Sequence, residues 1–251
     1  MAICGILQGK RTEKNMKDND MILTNVERRE NVFLSRVYLN MMLALLVTGV
    51  VAFLTAQSTA IMKVFVMNPV AMVVIAIVEM GLVMYLSGRV ERMSVGSAYI
   101  CFYLYAILTG FTFSVIVTAY ARTFVIAKAF IASGVVFGLA AIYGAITKKS
   151  LKGWINWLMM ALVGLLITTI VNIFLLSPMV DILVSGLGVV LFTLLTAWDS
   201  QKLTSLNRSY GSSMSSEDLQ KISIMGALDL YLDFINIFLY FVRLFGRSND
   251  R

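Results

Sequence analysis

The chain of 251 residues contains no histidine, two cysteines and two prolines, and only 14% of it is charged. Each shortage removes a class of explanation. Without histidine, the usual Ser-His-Asp and Cys-His forms of nucleophilic catalysis have no general base. Cys4 lies in a polar segment and Cys101 in an apolar run, which argues against a disulfide between them. Two cysteines also fall short of a structural zinc site. The scarcity of charge is the most informative. A soluble domain is about 25% charged and roughly 45–50% apolar, whereas this chain is 59% hydrophobic. Such a chain cannot cover itself with polar surface, so lipid must be its solvent. The net charge of +7 is then a topology signal. No basic groove interleaved with aromatic residues is present, and nucleic-acid binding is not expected.

What the chain does have is seven apolar segments. They run over about 37–57, 69–88, 97–120, 123–147, 153–176, 179–199 and 222–245. Each is long enough to cross a hydrocarbon core of about 30 Å as a helix. Pro69 and Pro178 stand at the starts of the second and sixth, where a missing N–H costs nothing. Alternation with a period of two is absent, which rejects a β-barrel. No internal repeat supports an inverted-repeat transporter. The expected fold is all-α, a polytopic seven-helix transmembrane bundle over 36–246. A polar tail (1–35) precedes it and a short tail (247–251) follows. The apolar run Met1 to Leu7 is too short for a signal-peptide core. Met21 remains an alternative start to Met1. The longest connection is expected between helices six and seven, around Thr204 to Asp218.

The basic residues are unevenly placed. Lys10, Arg11, Lys14, Lys17, Arg28, Arg29 and Arg36 precede the first segment. The loops on that same side carry Arg89 and Arg92, then Lys148, Lys149 and Lys152, then Lys202, Arg208 and Lys221. The opposite loops carry only Lys63 and Arg122. This asymmetry puts the N-terminus in the cytoplasm. Seven crossings put the C-terminus outside, against the preference of Arg243, Arg247 and Arg251. A seventh segment that enters and returns is the alternative.

Ionisable residues inside apolar segments cost about 2.5–3.5 kcal/mol each on insertion scales, so they mark function by default. Glu79, Lys128, Asp199, Asp229 and Asp233 are in this position. Lys128 lies five residues into its segment and is expected to snorkel to the interface. Glu79 and Asp233 reach the midplane, and Asp229 shares a helix face with Asp233 four residues on. Asp199, at the end of helix six, either caps that helix in solvent or joins Asp233 across the antiparallel pair. Clustered carboxylates share protons and titrate as a unit. They are also preferred ligands of Ca²⁺.

The stretch 227–246, ALDLYLDFINIFLYFVRLFG, resembles the C-terminal signature of the Bax inhibitor 1 family, the transmembrane Bax-inhibitor-motif proteins. FGLAAIYGAITKK over 137–149 is similar to that family's helix-four exit, and AWDSQ over 197–201 to its helix-six exit. The resemblance implies a seven-helix fold whose last helix is central. It implies a pH-sensitive Ca²⁺ leak, with Asp199 and Asp233 as the proton-sensing, cation-binding latch. It also implies Arg89 as a latch partner and Glu79 as a pore-lining acid. Asp229 stands where the family usually has a small or hydroxyl residue, and is read as an accessory acid. Ser150 replaces a common acidic residue in a loop.

The expectation is therefore a channel of a bacterial cytoplasmic membrane, not an enzyme. Its partners are lipids, protons and Ca²⁺ as the permeant or bound ion, and no cofactor is required. The alternative is a non-transporting regulator that binds other membrane proteins, such as a protease or a stress-response complex. Gly134, Gly138, Gly186 and Gly188 would support its helix contacts. An intramembrane hydrolase using paired aspartates is a third class.

Overall fold

The computed structural model describes residues 32–120, 124–210 and 215–248. The tail over 1–31, the alternative start at Met21 and the last three residues lie outside that range. Among the described residues there are seven helices long and apolar enough to cross a membrane. They are α1 (Val32–Gln57), α2 (Pro69–Arg89), α3 (Val95–Ala119), α4 (Val125–Ile146), α5 (Ile155–Leu175), α6 (Pro178–Tyr210) and α7 (Ser216–Ser248).

Local chemistry sets the helix starts. Asn68 caps α2, its Oδ1 accepting from the amides of Val70 and Ala71 at 3.0 and 3.4 Å, with Pro69 in the first turn. Ser94 caps α3 by accepting from the Ser97 amide at 3.2 Å. Ser215 caps α7 by accepting from the Asp218 amide at 3.1 Å. Side-chain oxygens at these positions satisfy amides that the helix itself leaves free. Between α1 and α2 the chain makes a short helical turn and a π-turn, Met62–Val66.

The helices differ sharply in how much they hide. In α7 67% of the most apolar stretch is buried, against 6% in α2 and 11% in α5. The last helix is therefore central. Ile224, Ala227, Leu230, Tyr231 and Ile237 of α7 are wholly inaccessible. The peripheral helices turn Ile77, Met80, Trp157 and Phe174 outward, where only lipid can cover them.

Three expectations change. Helix six continues eleven residues past Asp199, and helix seven begins at Ser216, so the connection is much shorter than 204–218. The apolar window ends at Asp199 because the next turns are amphipathic. Asp199, Ser200, Leu203, Thr204 and Asn207 are buried at helical spacing, while the residues between them are only partly buried. Lys202 is consequently a helix residue, and so is Lys221, which is buried in α7. Lys221 is held by Glu217 at 3.0 Å and donates to the Glu91 carbonyl at 3.5 Å. Likewise residues 32–35, placed in the polar tail by sequence, belong to α1.

Helix α7 is continuous to Ser248, so the entering-and-returning segment is not what the chain forms. The two arginines at its far end have partners within the bundle. Arg247 pairs with Asp181 at 3.2 Å and donates to the Pro178 carbonyl, and Arg243 lies over the Tyr240 ring at 5.6 Å.

Candidate functional site

Two weak sequence matches meet in space. Gly144 of α4 lies against the Ala197 carbonyl of α6 so closely that a Cβ has no room. One turn on, the Gln201 amide closes the α4 exit. Its Oε1 accepts from the Leu151 amide at 2.7 Å, and its Nε2 donates to the Lys149 and Thr147 carbonyls at 2.8 and 3.4 Å. These contacts fix α6 in rotation, and that rotation aims Asp199 inward.

Asp199 (8% exposed) and Asp233 (5% exposed) are both buried where α6 meets α7. Asp229, one turn before Asp233, is half-buried. Lys202 binds the group together. Its Nζ lies 3.3 Å from Asp229 Oδ2 and 3.8 Å from Asp199 Oδ1, and 5.2 Å from the Trp198 ring centroid. The charges that act on Asp233 are Asp199, Asp229 and Lys202. One oxygen of Asp233, Oδ2, is buried without a hydrogen-bond partner. A buried polar atom left unpaired is costly and calls for an explanation.

Sequence reasoning found the three aspartates and missed Lys202. The signal was its spacing of three residues from Asp199, which places the two on one helix face. Arg89, expected as the partner, is exposed at the end of α2 and stacks over Tyr85 at 5.8 Å. It makes no ion pair with the aspartates; Lys202 holds that position.

Glu79 stands apart from the cluster. It is half-buried on α2 and accepts from the Thr112 hydroxyl of α3 at 3.5 Å. Tyr105 of α3 and Tyr231 of α7 lie on the same side of the bundle, within electrostatic range of Glu79. Tyr231 in turn hydrogen-bonds Thr48 Oγ1 at 2.7 Å, and that hydroxyl also reaches the Ala106 carbonyl at 2.9 Å. A polar seam thus runs from α2 through α3 to the α1 side of α7, opposite the aspartates. Among the described residues, no three acidic or cysteine side chains are placed to hold a metal ion. Of the small residues, Gly188 packs on the Tyr240 ring inside the bundle, whereas Gly134, Gly138 and Gly186 face open space.

The arrangement defines a class: a seven-helix membrane protein with a buried acidic cluster on its central helix. The chain belongs to the family described as "Inhibitor of apoptosis-promoting Bax1", whose model matches residues 30–250. It is 39% identical to the inner membrane protein YbhL of Escherichia coli K12 over 214 residues, 85% of this chain and 91% of that one. It is 37% identical to the protein RP147 of Rickettsia prowazekii, over 87% of this chain and 90% of that one. A Deinococcus radiodurans protein is 37% identical over 94% of this chain and 99% of its own length.

Proposed function

We propose that the protein is a passive, proton-regulated Ca²⁺ leak of a bacterial cytoplasmic membrane, closed by a clasp between α6 and α7. Asp199 and Asp233 are the latch, Asp229 is an accessory ligand and Glu79 lines the path on the α2 side. No bond is made or broken in a substrate. The N-terminus faces the cytoplasm, in keeping with the exposed Arg89, Arg92, Lys148, Lys149 and Lys152 on that side.

The observation that carries this reading is the unpartnered Oδ2 of Asp233, buried beside two further carboxylates. Charge balance supplies the mechanism. Fully ionised, the three carboxylates and Lys202 sum to two negative charges. Two protons neutralise that sum, and so does one Ca²⁺. Hard cations prefer carboxylate oxygens, so the two compete for the same groups. With protons bound, Lys202 bridges Asp199 and Asp229 and the helices stay together. With protons lost, the carboxylates separate and offer themselves to the ion.

The test is reconstitution in liposomes with an internal Ca²⁺ dye, followed from mildly acidic to mildly alkaline pH. Influx should rise with pH, more steeply than a single proton allows. Asp199→Asn and Asp233→Asn should lose the pH dependence, and Asp229→Ser should make it shallower. Folded protein that passes no more Ca²⁺ than empty liposomes at every pH would sink the leak. The regulator reading would then gain, since Gly134 and Gly138 form an unfilled helix face on α4 suited to a partner helix.

A further inference from the structure

Four helices enclose a cavity of about 560 Å³ on the far side of Asp233 from the cluster. Its walls are the second half of α1, the end of α3, the start of α4 and the next turns of α7. Phe234, Ile235 and Phe238 of the central helix form its floor. Phe53, Phe124 and Phe130 stand on its rim, each more than half exposed on the outer surface of the bundle. Through these rings the cavity reaches the outer surface of the bundle, between membrane-spanning segments.

Its chemistry excludes water as a stable filling. A buried water needs two to four polar partners, and an apolar cavity stays dry. Two hydroxyl side chains reach the wall, Thr48 and Tyr120. The Thr48 hydroxyl is already engaged by Tyr231 and by the Ala44 and Ala106 carbonyls. The Tyr120 hydroxyl lies against Gly246. What remains is aliphatic and aromatic carbon reaching the outer surface of the bundle. Gly49 helps to make the space: a Cβ built there meets nothing within 4 Å.

We propose that this cavity is a binding site for one acyl chain of a membrane phospholipid, entering from the leaflet on the C-terminal side of α7. The size falls within the range of about 300–1,000 Å³ typical of small-molecule sites. A void left empty would forfeit dispersion contacts along its whole lining. The chain packs against Phe234, next to Asp233, and Phe238, one turn further on, and so fills the space between α1 and α7. The site stands independently of whether the protein passes Ca²⁺.

The test uses the full chain in vesicles of phosphatidylethanolamine and phosphatidylglycerol. A small fraction of the phospholipid carries a photoreactive diazirine in mid-chain, and labelled residues are mapped by mass spectrometry. Labelling at 45–53 and 113–117 should exceed that at the exposed Trp157 and Phe174 of α5, which report ordinary lipid contact. Gly49→Leu and Ala127→Trp fill the cavity from opposite walls. Each should lower cavity labelling severalfold, leave α5 labelling unchanged and leave the thermal midpoint at least as high as wild type. Cavity labelling no greater than that of α5, or labelling indifferent to both plugs, would overturn the proposal. The use of two plugs guards against one of them misfolding.

Discussion

Tyr231 and Asp233 lie two residues apart on the same buried helix and face opposite ways. Tyr231 is wholly inaccessible and its hydroxyl meets Thr48 at 2.7 Å, with Phe102 and Tyr105 edge-on to its ring at centroid distances of 6.0 and 5.8 Å. Asp233 is almost as deeply buried, yet one of its oxygens has no partner. A satisfied polar group in a packed interior specifies one arrangement of its neighbours. An unsatisfied one sits among groups that can be rearranged at little loss, because few bonds need breaking. On the proposed reading, the α1–α3 face of α7 is the one that holds and the α6 face the one that changes.

The sharpest break of that contrast is a crossed pair of substitutions. Asp233→Asn should abolish the pH dependence of Ca²⁺ influx while leaving the fold intact, as dye influx and circular dichroism would show. Tyr231→Phe should do the reverse. It should cost about 1–3 kcal/mol of stability, because a buried acceptor at Thr48 loses its donor, with the pH profile of influx unmoved. If Tyr231→Phe moved the profile as Asp233→Asn does, the two faces would not be separable.

Next in size is the rotation of α6. Gly144→Val drives a side chain into the Ala197 carbonyl, and overpacking of this kind costs about 1–3 kcal/mol. Because backbone cannot yield as a side-chain tip can, the upper end is expected. A lowered thermal midpoint together with an altered pH profile would tie the α4 contact to the aim of Asp199. A lowered midpoint alone would make the contact purely structural. Smaller still is Lys202→Met, which keeps a flexible apolar stem against Trp198 but removes the cation that pairs with Asp199 and Asp229. Loss of a positive charge favours bound protons, so the pH of half-maximal influx should move upward. Arg89→Met should leave it in place, since Arg89 stacks on Tyr85 away from the cluster.

These residues also show what was legible before the structure. Seven helices could be read from hydropathy alone, since an apolar run of that length has few other uses. Asp233 was conspicuous because it lies deep in an apolar run, where a carboxylate is costly. Lys202 was not, because the amphipathic turns after Asp199 look like a loop when only mean hydropathy is followed. Their burial at 199, 200, 203, 204 and 207 is a helical period that composition hides. The Gln201 clamp on the α4 exit joins residues about fifty positions apart, and only packing brings them together. The acyl-chain cavity has no sequence signature at all, being a space left by four helices.

The smallest expected effect concerns Glu79, which tests whether the holding face has a function of its own. Its carboxylate is met by the Thr112 hydroxyl at a long 3.5 Å, and that hydroxyl already donates to the Thr109 carbonyl at 2.8 Å. The bond to Glu79 is therefore weak, and Thr112→Val should change stability by well under about 1 kcal/mol. If Glu79 lines the ion path, loosening it should still alter the rate of Ca²⁺ influx by a modest factor, at a pH midpoint set by the aspartates and unchanged. Glu79→Gln should alter the rate further in the same direction. Were both variants to shift the midpoint instead, Glu79 would belong to the proton-sensing group despite the helix between them. The polar seam from α2 to Tyr231 would then join the two faces of α7 through its hydroxyls.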